Sequence, residues 1–186
     1  MEHESSAEFS AKFPALAIEL GPSNLETLLK ATTVLSLPAG RKVIRDRMPV
    51  DSLYLLIEGR VEISVEEYGQ SILLGHIGPG EWLGEVSVLS GDLHASSTVT
   101  TETPVKFLRL RHQAFEDLIL SNQEIASVLL RQLVLMLADR LRKSGATLKQ
   151  PLTIKSTKGG EETSAESAGA APRNWLQSFF GRSSGT

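Results

Sequence analysis

Between Val34 and Leu110 the chain alternates short apolar segments with turns that contain glycine or proline. In one segment Val61, Ile63 and Val65 alternate with polar residues, which is the period of a strand with one face in the core and one in solvent. Short strands separated by glycine turns at this spacing indicate a small antiparallel barrel or sandwich and disfavour an enzyme built from alternating strands and helices. The predicted strands lie at residues 42–45, 53–57, 61–66, 72–74, 97–101 and 105–110.

Helical patterns flank this strand region on both sides. Apolar residues at helical spacing follow a polar lead at residues 1–10, and Gly21 with Pro22 predicts that the first helix stops there. Ser23 or Asn24 is suited to cap the next helix, because its side chain accepts a backbone N–H. Helices are predicted at residues 13–20, 23–30, 112–120 and 123–143. We therefore divide the ordered part into an N-terminal lead and helix, residues 1–22, and a main domain, residues 23–144.

The long helix predicted from Gln123 to Lys143 carries more apolar surface than one core contact requires. One side is lined by Ile125, Val128, Leu129 and Met136, and the other by Leu130, Leu133, Leu137 and Leu141. This surplus predicts a homodimer through the helix, because closed two-fold dimers are the commonest soluble assembly. The alternative is that both stripes pack on the same barrel.

The last part of the chain has a different composition. Residues 145–172 are rich in Gly, Ser, Thr, Ala and Glu and contain few large apolar side chains, so they predict a disordered, flexible linker. Residues 173–186 then place four large apolar side chains close together, from Trp175 to Phe180. Such a cluster on a disordered tail indicates a docking segment for a protein partner. The alternative is that the segment folds back on its own domain.

Composition excludes several classes of protein. A chain of 186 residues that is 41% hydrophobic is long enough to bury one core. A net charge of -3 lacks the excess of Lys and Arg that sequence-independent DNA binding requires, so no DNA partner is expected. The chain has no cysteine for a disulfide or a thiolate metal site. The longest apolar run, Leu133 to Ala138, is too short to span a bilayer, and a cytoplasmic location is expected.

A candidate ligand pocket lies between Gly84 and Val99. Gly84 and Glu85 precede a short apolar turn, and small hydroxyl residues follow it, an arrangement suited to a sugar and its phosphate. No Arg or Lys occurs between Gly84 and Thr100 to neutralise that phosphate. The hydroxyl residues have no identifiable base beside them and the histidines lack metal-ligand spacing, so neither a catalytic nor a metal site is expected. The candidate ligand-binding residues are Gly84, Glu85, Val86, Ser87, His94, Ala95, Ser96 and Ser97.

Four motifs occur in an order that resembles the cyclic nucleotide-binding domain superfamily, in particular sensor domains of the Crp/Fnr type. They are LPAG at 37–40, LYLLIEGRV at 53–61, GPG with WLGE at 78–85, and STV at 97–99. The resemblance covers about residues 25–141. It implies a mainly β fold with flanking helices: a jelly-roll β-barrel, a helical phosphate-binding cassette between Gly84 and Thr98, and a long C-terminal helix. It also implies cyclic AMP or cyclic GMP as the ligand, and no cofactor.

The resemblance assigns roles to the first two cassette residues. The family's glycine, matched by Gly84, lets the backbone approach the ribose, and its glutamate, matched by Glu85, accepts a hydrogen bond from the ribose 2'-hydroxyl. Amides at the start of the cassette helix, near Val86, would face the phosphate. This chain has both the glycine and the glutamate of the family's cassette, as Gly84 and Glu85.

The chain departs from the family at the cassette arginine, which contacts the phosphate. Anchoring on Thr98 places Ala95 at that position, whereas counting from Gly84 places His94 there. Losing a charged hydrogen bond costs about 1.5–3 kcal/mol, or roughly ten- to more than a hundredfold in affinity. Hydroxyl donors in the cassette, or an arginine reaching in from a strand, would be the substitutes; the candidates are Ser96, Ser97, Arg60 and Arg109.

These observations predict a non-enzymatic, cyclic-nucleotide-sensing regulatory or adaptor module that acts through protein–protein contacts. The alternative is a degenerate domain that binds no nucleotide and serves as a dimeric interaction scaffold, because the arginine position is substituted. The short stretch after Gln150 leaves no room for the DNA-binding domain that gene-activating relatives carry, so direct DNA contact is not expected.

Overall fold

The computed structural model describes residues 2–67, 70–85, 89 and 94–147. Within these residues the chain forms eight strands and four helices. The strands are β1 (Thr33–Leu37), β2 (Lys42–Ile44), β3 (Ser52–Glu58), β4 (Val61–Glu67), β5 (Gln70–Ile77), β6 (Trp82–Leu83), β7 (Thr98–Thr101) and β8 (Val105–Arg111). The helices are α1 (Glu2–Lys12), α2 (Pro14–Lys30), α3 (His112–Ser121) and α4 (Gln123–Thr147).

Two four-stranded antiparallel sheets form the body of the fold. Their strand orders are β1-β8-β3-β6 and β2-β7-β4-β5. Side chains from both sheets meet in one core cluster, which includes Tyr54, Leu83 and Phe107 from the first sheet and Val61 and Val99 from the second. The predicted mainly β, jelly-roll fold with flanking helices is therefore confirmed.

Strand β3 is buried on both faces, which explains its nearly continuous apolar sequence. Tyr54 and Leu56 point into the core between the sheets. Leu53, Leu55 and Ile57 alternate with them and are also buried. Helix α1 packs on β3, and α3 packs on its neighbour β8. Because both faces of β3 are covered, its sequence does not show the polar alternation of β4.

Strand β5 lies at the edge of the second sheet and is paired only with β4 among the described strands. Ile72, Leu73 and Leu74 are consecutive on this strand and remain exposed. The pairing skips one residue, because Ile63 faces Gly75 whereas Ser64 faces Leu73. Leu74 is therefore the extra residue of a β-bulge in the edge strand.

The N-terminal residues differ from the prediction of a polar lead. Residues 2–12 form α1, because Phe9 anchors the helix in the core despite its polar neighbours. The rings of Phe9 and Phe13 stack at 5.1 Å, and Phe13 meets Trp82 edge to face at 6.1 Å. The predicted break at Gly21 is present as a kink with φ 70° and ψ 171°, after which the helix resumes to Lys30.

Helix α4 presents two faces in the part that precedes Leu135. Ile125, Leu129 and Leu133 are fully buried. Leu130 and Val134 are 39% and 63% exposed. The prediction that Leu133 shares the second stripe with Leu130 is therefore wrong, because Leu133 is fully buried with Leu129, four residues before it, whereas Leu130 is exposed.

The described residues fall into two parts that divide after Val134. The second part contains the rest of α4, which continues through Gly145 to Thr147, beyond the end predicted at Lys143. Residues 148–186 lie outside the described residues. They include the rest of the predicted linker and the segment from Trp175 to Phe180. No helix among the described residues is both long enough and apolar enough to cross a membrane.

Candidate ligand-binding site

Gly84 sets the position of the candidate site, directly after β6. Its φ is 81°, in the left-handed region that side chains disfavour. A Cβ atom at this position would lie 2.5 Å from the carbonyl oxygen of Ser52 and 3.3 Å from Cγ1 of Val50. The backbone at residue 84 therefore lies against the beginning of β3, and only glycine fits both the conformation and the space.

Glu85 follows at once and is buried, with only 3% of its surface exposed. Burying a carboxylate is unfavourable unless it accepts hydrogen bonds, so this position is suited to pairing with hydroxyl or N–H donors. The next two candidate residues, Val86 and Ser87, lie outside the described residues. The structure thus places the predicted Gly-Glu pair where the sheet meets the predicted cassette.

The far end of the predicted cassette is held by the segment between β2 and β3. His94 forms an isolated antiparallel bridge with Pro49. The amide of Arg47 donates to the carbonyl of Ala95 at 2.8 Å, and the amide of Ala95 donates to the carbonyl of Met48 at 2.9 Å. These pairings fix the backbone of residues 94 and 95 against residues 47–49.

The candidate residues at the far end of the predicted cassette differ in exposure. His94 is exposed, whereas Ala95 is buried in the core cluster beside Val50 and Leu83. Ser96 and Ser97 are half-buried. Gly84 and Ala95 therefore meet the same stretch of chain, residues 47–52, although eleven positions of sequence separate them. Ser96 and Ser97, which carry hydroxyl groups, come directly after Ala95 in the sequence.

A polar cluster lies at the beginning of β3, around Ser52, whose carbonyl oxygen faces Gly84. Nε of Arg109 donates to Oγ of Ser52 at 2.8 Å, and its Nη2 donates to Oδ1 of Asp51 at 3.1 Å. Oγ of Ser52 also donates to Oδ1 of Asp51 at 2.9 Å. The hydrogen bond from Ser52, followed by that from Arg109, holds the pKa of Asp51 below its usual value. Burial raises the pKa of the neighbouring Tyr54.

The two strand arginines proposed as substitutes are therefore placed differently. Arg109 lies beside Ser52, but its guanidinium already donates hydrogen bonds to Ser52 and Asp51. Arg60 forms an ion pair with Glu102, in which Nε of Arg60 lies 2.9 Å from Oε2 of Glu102. Glu102 also lies 2.9 Å from Nδ1 of His76. No cluster of three or more metal-ligating side chains occurs among residues 2–67, 70–85, 89 and 94–147.

Sequence reasoning missed two residues that the fold brings to the site. Ser52 supports Gly84 through its carbonyl oxygen, and Arg47 pairs with Ala95 through its amide. Both are contacts between backbone atoms of segments far apart in the chain. No side-chain pattern in the sequence signals such contacts.

The candidate site lies in a part of the chain that is similar to a known protein family. Residues 34–122 match the sequence profile of the cyclic nucleotide-binding domain. The chain contains a cyclic nucleotide-binding domain. The matched region begins within β1 and ends just after α3. It includes the Gly84–Glu85 pair and residues 94–97, so the candidate site lies inside the cyclic nucleotide-binding domain.

Proteins that carry similar sequences belong to different functional classes. The chain is 31% identical over 110 residues to a cyclic nucleotide-gated potassium channel of Mesorhizobium japonicum, covering 59% of this chain and 29% of the channel. It is 33% identical over 128 residues to the CRP-like cAMP-activated global transcriptional regulator of Mycobacterium tuberculosis, covering 68% of this chain and 55% of the regulator. The chain thus spans less than two thirds of either relative.

A solved structure supports the fold. A cyclic nucleotide-binding domain from Methylobacillus flagellatus superposes with a TM-score of 0.69 at 20% identity, over 84% of this chain and 88% of that one. At that level of identity the agreement concerns the arrangement of the cyclic nucleotide-binding domain rather than its ligand. The resemblance predicted from the sequence is confirmed.

Proposed function

We propose that this protein is a non-enzymatic regulatory module that senses cyclic AMP or cyclic GMP. The observation that carries the proposal is the placement of the Gly84–Glu85 pair. The close approach of residue 84 to Ser52 fixes the backbone, and Glu85 is buried immediately after it. A buried carboxylate at a fixed backbone position suits the ribose hydroxyl of a nucleotide, which donates hydrogen bonds to it.

The other end of the ligand would meet residues 94–97. Ser96 and Ser97 are half-buried and carry hydroxyl donors for phosphate oxygens. Ala95 supplies only an apolar surface and a backbone that is already paired with residues 47 and 48. Binding would therefore rest on Glu85, the backbone at Gly84 and the two serines, with Val86 and Ser87 as the proposed cassette contacts.

Titration calorimetry with cyclic AMP and cyclic GMP tests this function. We expect binding in the micromolar range, and at least a tenfold weaker affinity in Glu85→Ala, because the variant loses a hydrogen bond to a charged acceptor. Glu66→Ala is the matched control, since Glu66 is an exposed carboxylate on β4, and its affinity should equal that of the wild type. Absence of binding at millimolar nucleotide, or equal affinities in both variants, would refute the proposal.

The ligand-independent scaffold remains the second candidate function. It is favoured by the small, buried side chain of Ala95 and by the absence of Arg and Lys between Gly84 and Thr100. In that case the fold would serve dimerisation and partner binding alone. Undetectable nucleotide binding together with a stable dimer is the combination that would select it.

We propose that α4 forms the homodimer contact predicted for the helix from Gln123 to Lys143. Leu130 and Val134 are exposed in the described structure. In the sequence Leu130, Val134, Leu137 and Leu141 follow one another at intervals of four, three and four residues. This is the a and d spacing of a two-stranded coiled coil.

Val134→Glu is expected to convert the dimer to a monomer at micromolar concentration, because it places a charge in the centre of the apolar seam. Light scattering coupled to size exclusion measures the molar mass. Leu120→Glu is the matched control, because Leu120 is 86% exposed and lies on α3 rather than α4. A monomeric wild type, or a dimer that persists in Val134→Glu, would contradict the proposed interface.

The output of the module is proposed to be a protein contact. The aromatic segment from Trp175 to Phe180 has the composition of a docking peptide. We propose that nucleotide binding changes the availability of α4 or of this segment to a protein partner. The cytoplasmic location expected from the sequence stays a prediction.

A further inference from the structure

Arg47 has a backbone conformation that is unusual for its residue type. Its φ is 60°, and it is the one residue other than glycine with a positive φ among the described residues. The amide of Met48 donates to the carbonyl of Arg45 at 3.0 Å, which closes a four-residue turn with Arg47 at its third position. Glycine or asparagine is preferred where such a turn requires positive φ. An arginine therefore occupies a position at which another residue type is intrinsically more stable.

The same residue begins a β-bulge opposite the predicted cassette. The amide of Arg47 donates to the carbonyl of Ala95, whereas the amide of Ala95 donates to the carbonyl of Met48. Two residues thus oppose one, and the first has the left-handed conformation of the bulge type that favours glycine. Bulges of this kind change the direction of a side chain and are frequent beside functional sites.

The guanidinium of Arg47 is largely exposed and forms a long ion pair with the carboxylate of Asp46. Its side chain is 79% exposed, and Nε lies 3.7 Å from Oδ2 of Asp46, which is too long for a hydrogen bond. Arg109, in contrast, already donates to Ser52 and Asp51. The turn itself is fixed, because the amide of Asp46 donates to Oγ1 of Thr98 at 3.1 Å.

We infer that Arg47 is a binding residue for the anionic end of the ligand, supplying from the β2–β3 turn the positive charge that the cassette lacks at Ala95. Arg47 faces Ala95 across the backbone pairing, and facing residues of an antiparallel pair have Cα atoms about 5.5 Å apart, so an arginine side chain is long enough to reach a phosphate held at Ser96 and Ser97. The strained backbone at Arg47 is retained because the guanidinium is required there. This inference rests on the proposed nucleotide-binding function.

Two neutral variants test the inference without disturbing the turn. Arg47→Gly and Arg47→Asn both place a residue that tolerates positive φ at the bulge, so the melting temperature should stay equal or rise by a few degrees. Their affinity for cyclic AMP should fall at least tenfold, as expected for the loss of a charge-assisted hydrogen bond. Adenosine, which lacks the phosphate, should bind the wild type and both variants equally.

Arg45→Ala is the matched control, because Arg45 is an exposed arginine two residues away in the same turn. The affinity of Arg45→Ala for cyclic AMP should stay within twofold of the wild type, because this variant removes only the long-range attraction between one positive charge and the phosphate. If the wild type binds cyclic AMP and both Arg47 variants bind it equally well, the role of Arg47 is overturned while the proposed function stands. If the wild type binds neither cyclic AMP nor cyclic GMP at millimolar concentration, the proposed function fails and the inference fails with it.

Discussion

Gly84→Ala is expected to lower the free energy of unfolding by about 2–5 kcal/mol and to remove nucleotide binding. Alanine in the left-handed region costs about 1–2 kcal/mol. Overpacking costs a further 1–3 kcal/mol or so, because the new methyl group would lie 2.5 Å from the carbonyl oxygen of Ser52. Any shift that relieves this contact also displaces Glu85. Urea unfolding and nucleotide titration of the same preparation measure both effects.

Gly40→Ala separates the two contributions. Gly40 has a φ of 78°, close to that of Gly84, but an added Cβ meets nothing within 4 Å. This control should therefore lose only about 1–2 kcal/mol and retain the ligand affinity of the wild type. If the two variants are equally stable, the close approach between residues 84 and 52 does not constrain the site.

Phe107→Ala is expected to lower the free energy of unfolding by about 3–5 kcal/mol, the range for truncating a buried aromatic residue. Phe107 is fully buried in β8, and its ring meets that of Tyr54 edge to face at 5.8 Å. The residue belongs to the cluster that joins the two sheets. Its removal therefore leaves a cavity in the centre of the fold. Equilibrium denaturation with urea measures the loss.

Phe107→Leu is the companion variant, because leucine retains part of the buried apolar volume. It should lose clearly less free energy of unfolding than Phe107→Ala. Equal losses would mean that the contact with Tyr54, rather than the filled volume, stabilises this part of the core. A loss below about 1 kcal/mol in Phe107→Ala would show that the core collapses around the gap.

Much of the fold could be predicted from the sequence, because strand alternation and glycine turns are local signals. Strand β4 was found by its alternation, and the turn before Trp82 by its glycines. Helix α1 was not, because its residues are mostly polar and Phe9 is the one buried side chain among its described side chains, residues 6–12. The burial of Ser64 also escaped prediction. Ser64 is covered beside Thr98, its partner in the adjacent strand, and that pairing is a long-range property.

The candidate site divides in the same way. Glycine followed by glutamate is a local motif, and in the structure Gly84 lies in a bend with positive φ while the side chain of Glu85 is buried. The contact with Ser52 and the pairing of Arg47 with Ala95 depend on the crossing of distant backbone segments. The positive φ of Arg47 was likewise hidden, because propensity assigns that conformation to glycine.

The edge strand β5 bears on how this domain behaves when it is concentrated. Among the described strands β5 is paired on one side only and carries three exposed apolar residues, and such an edge is a template on which a strand of another molecule can add. Addition of this kind need not close into a ring, so it can propagate into a filament. The bulge at Leu74 interrupts the regular row of hydrogen-bonding groups. We therefore expect this one-residue irregularity in register to hinder polymerisation.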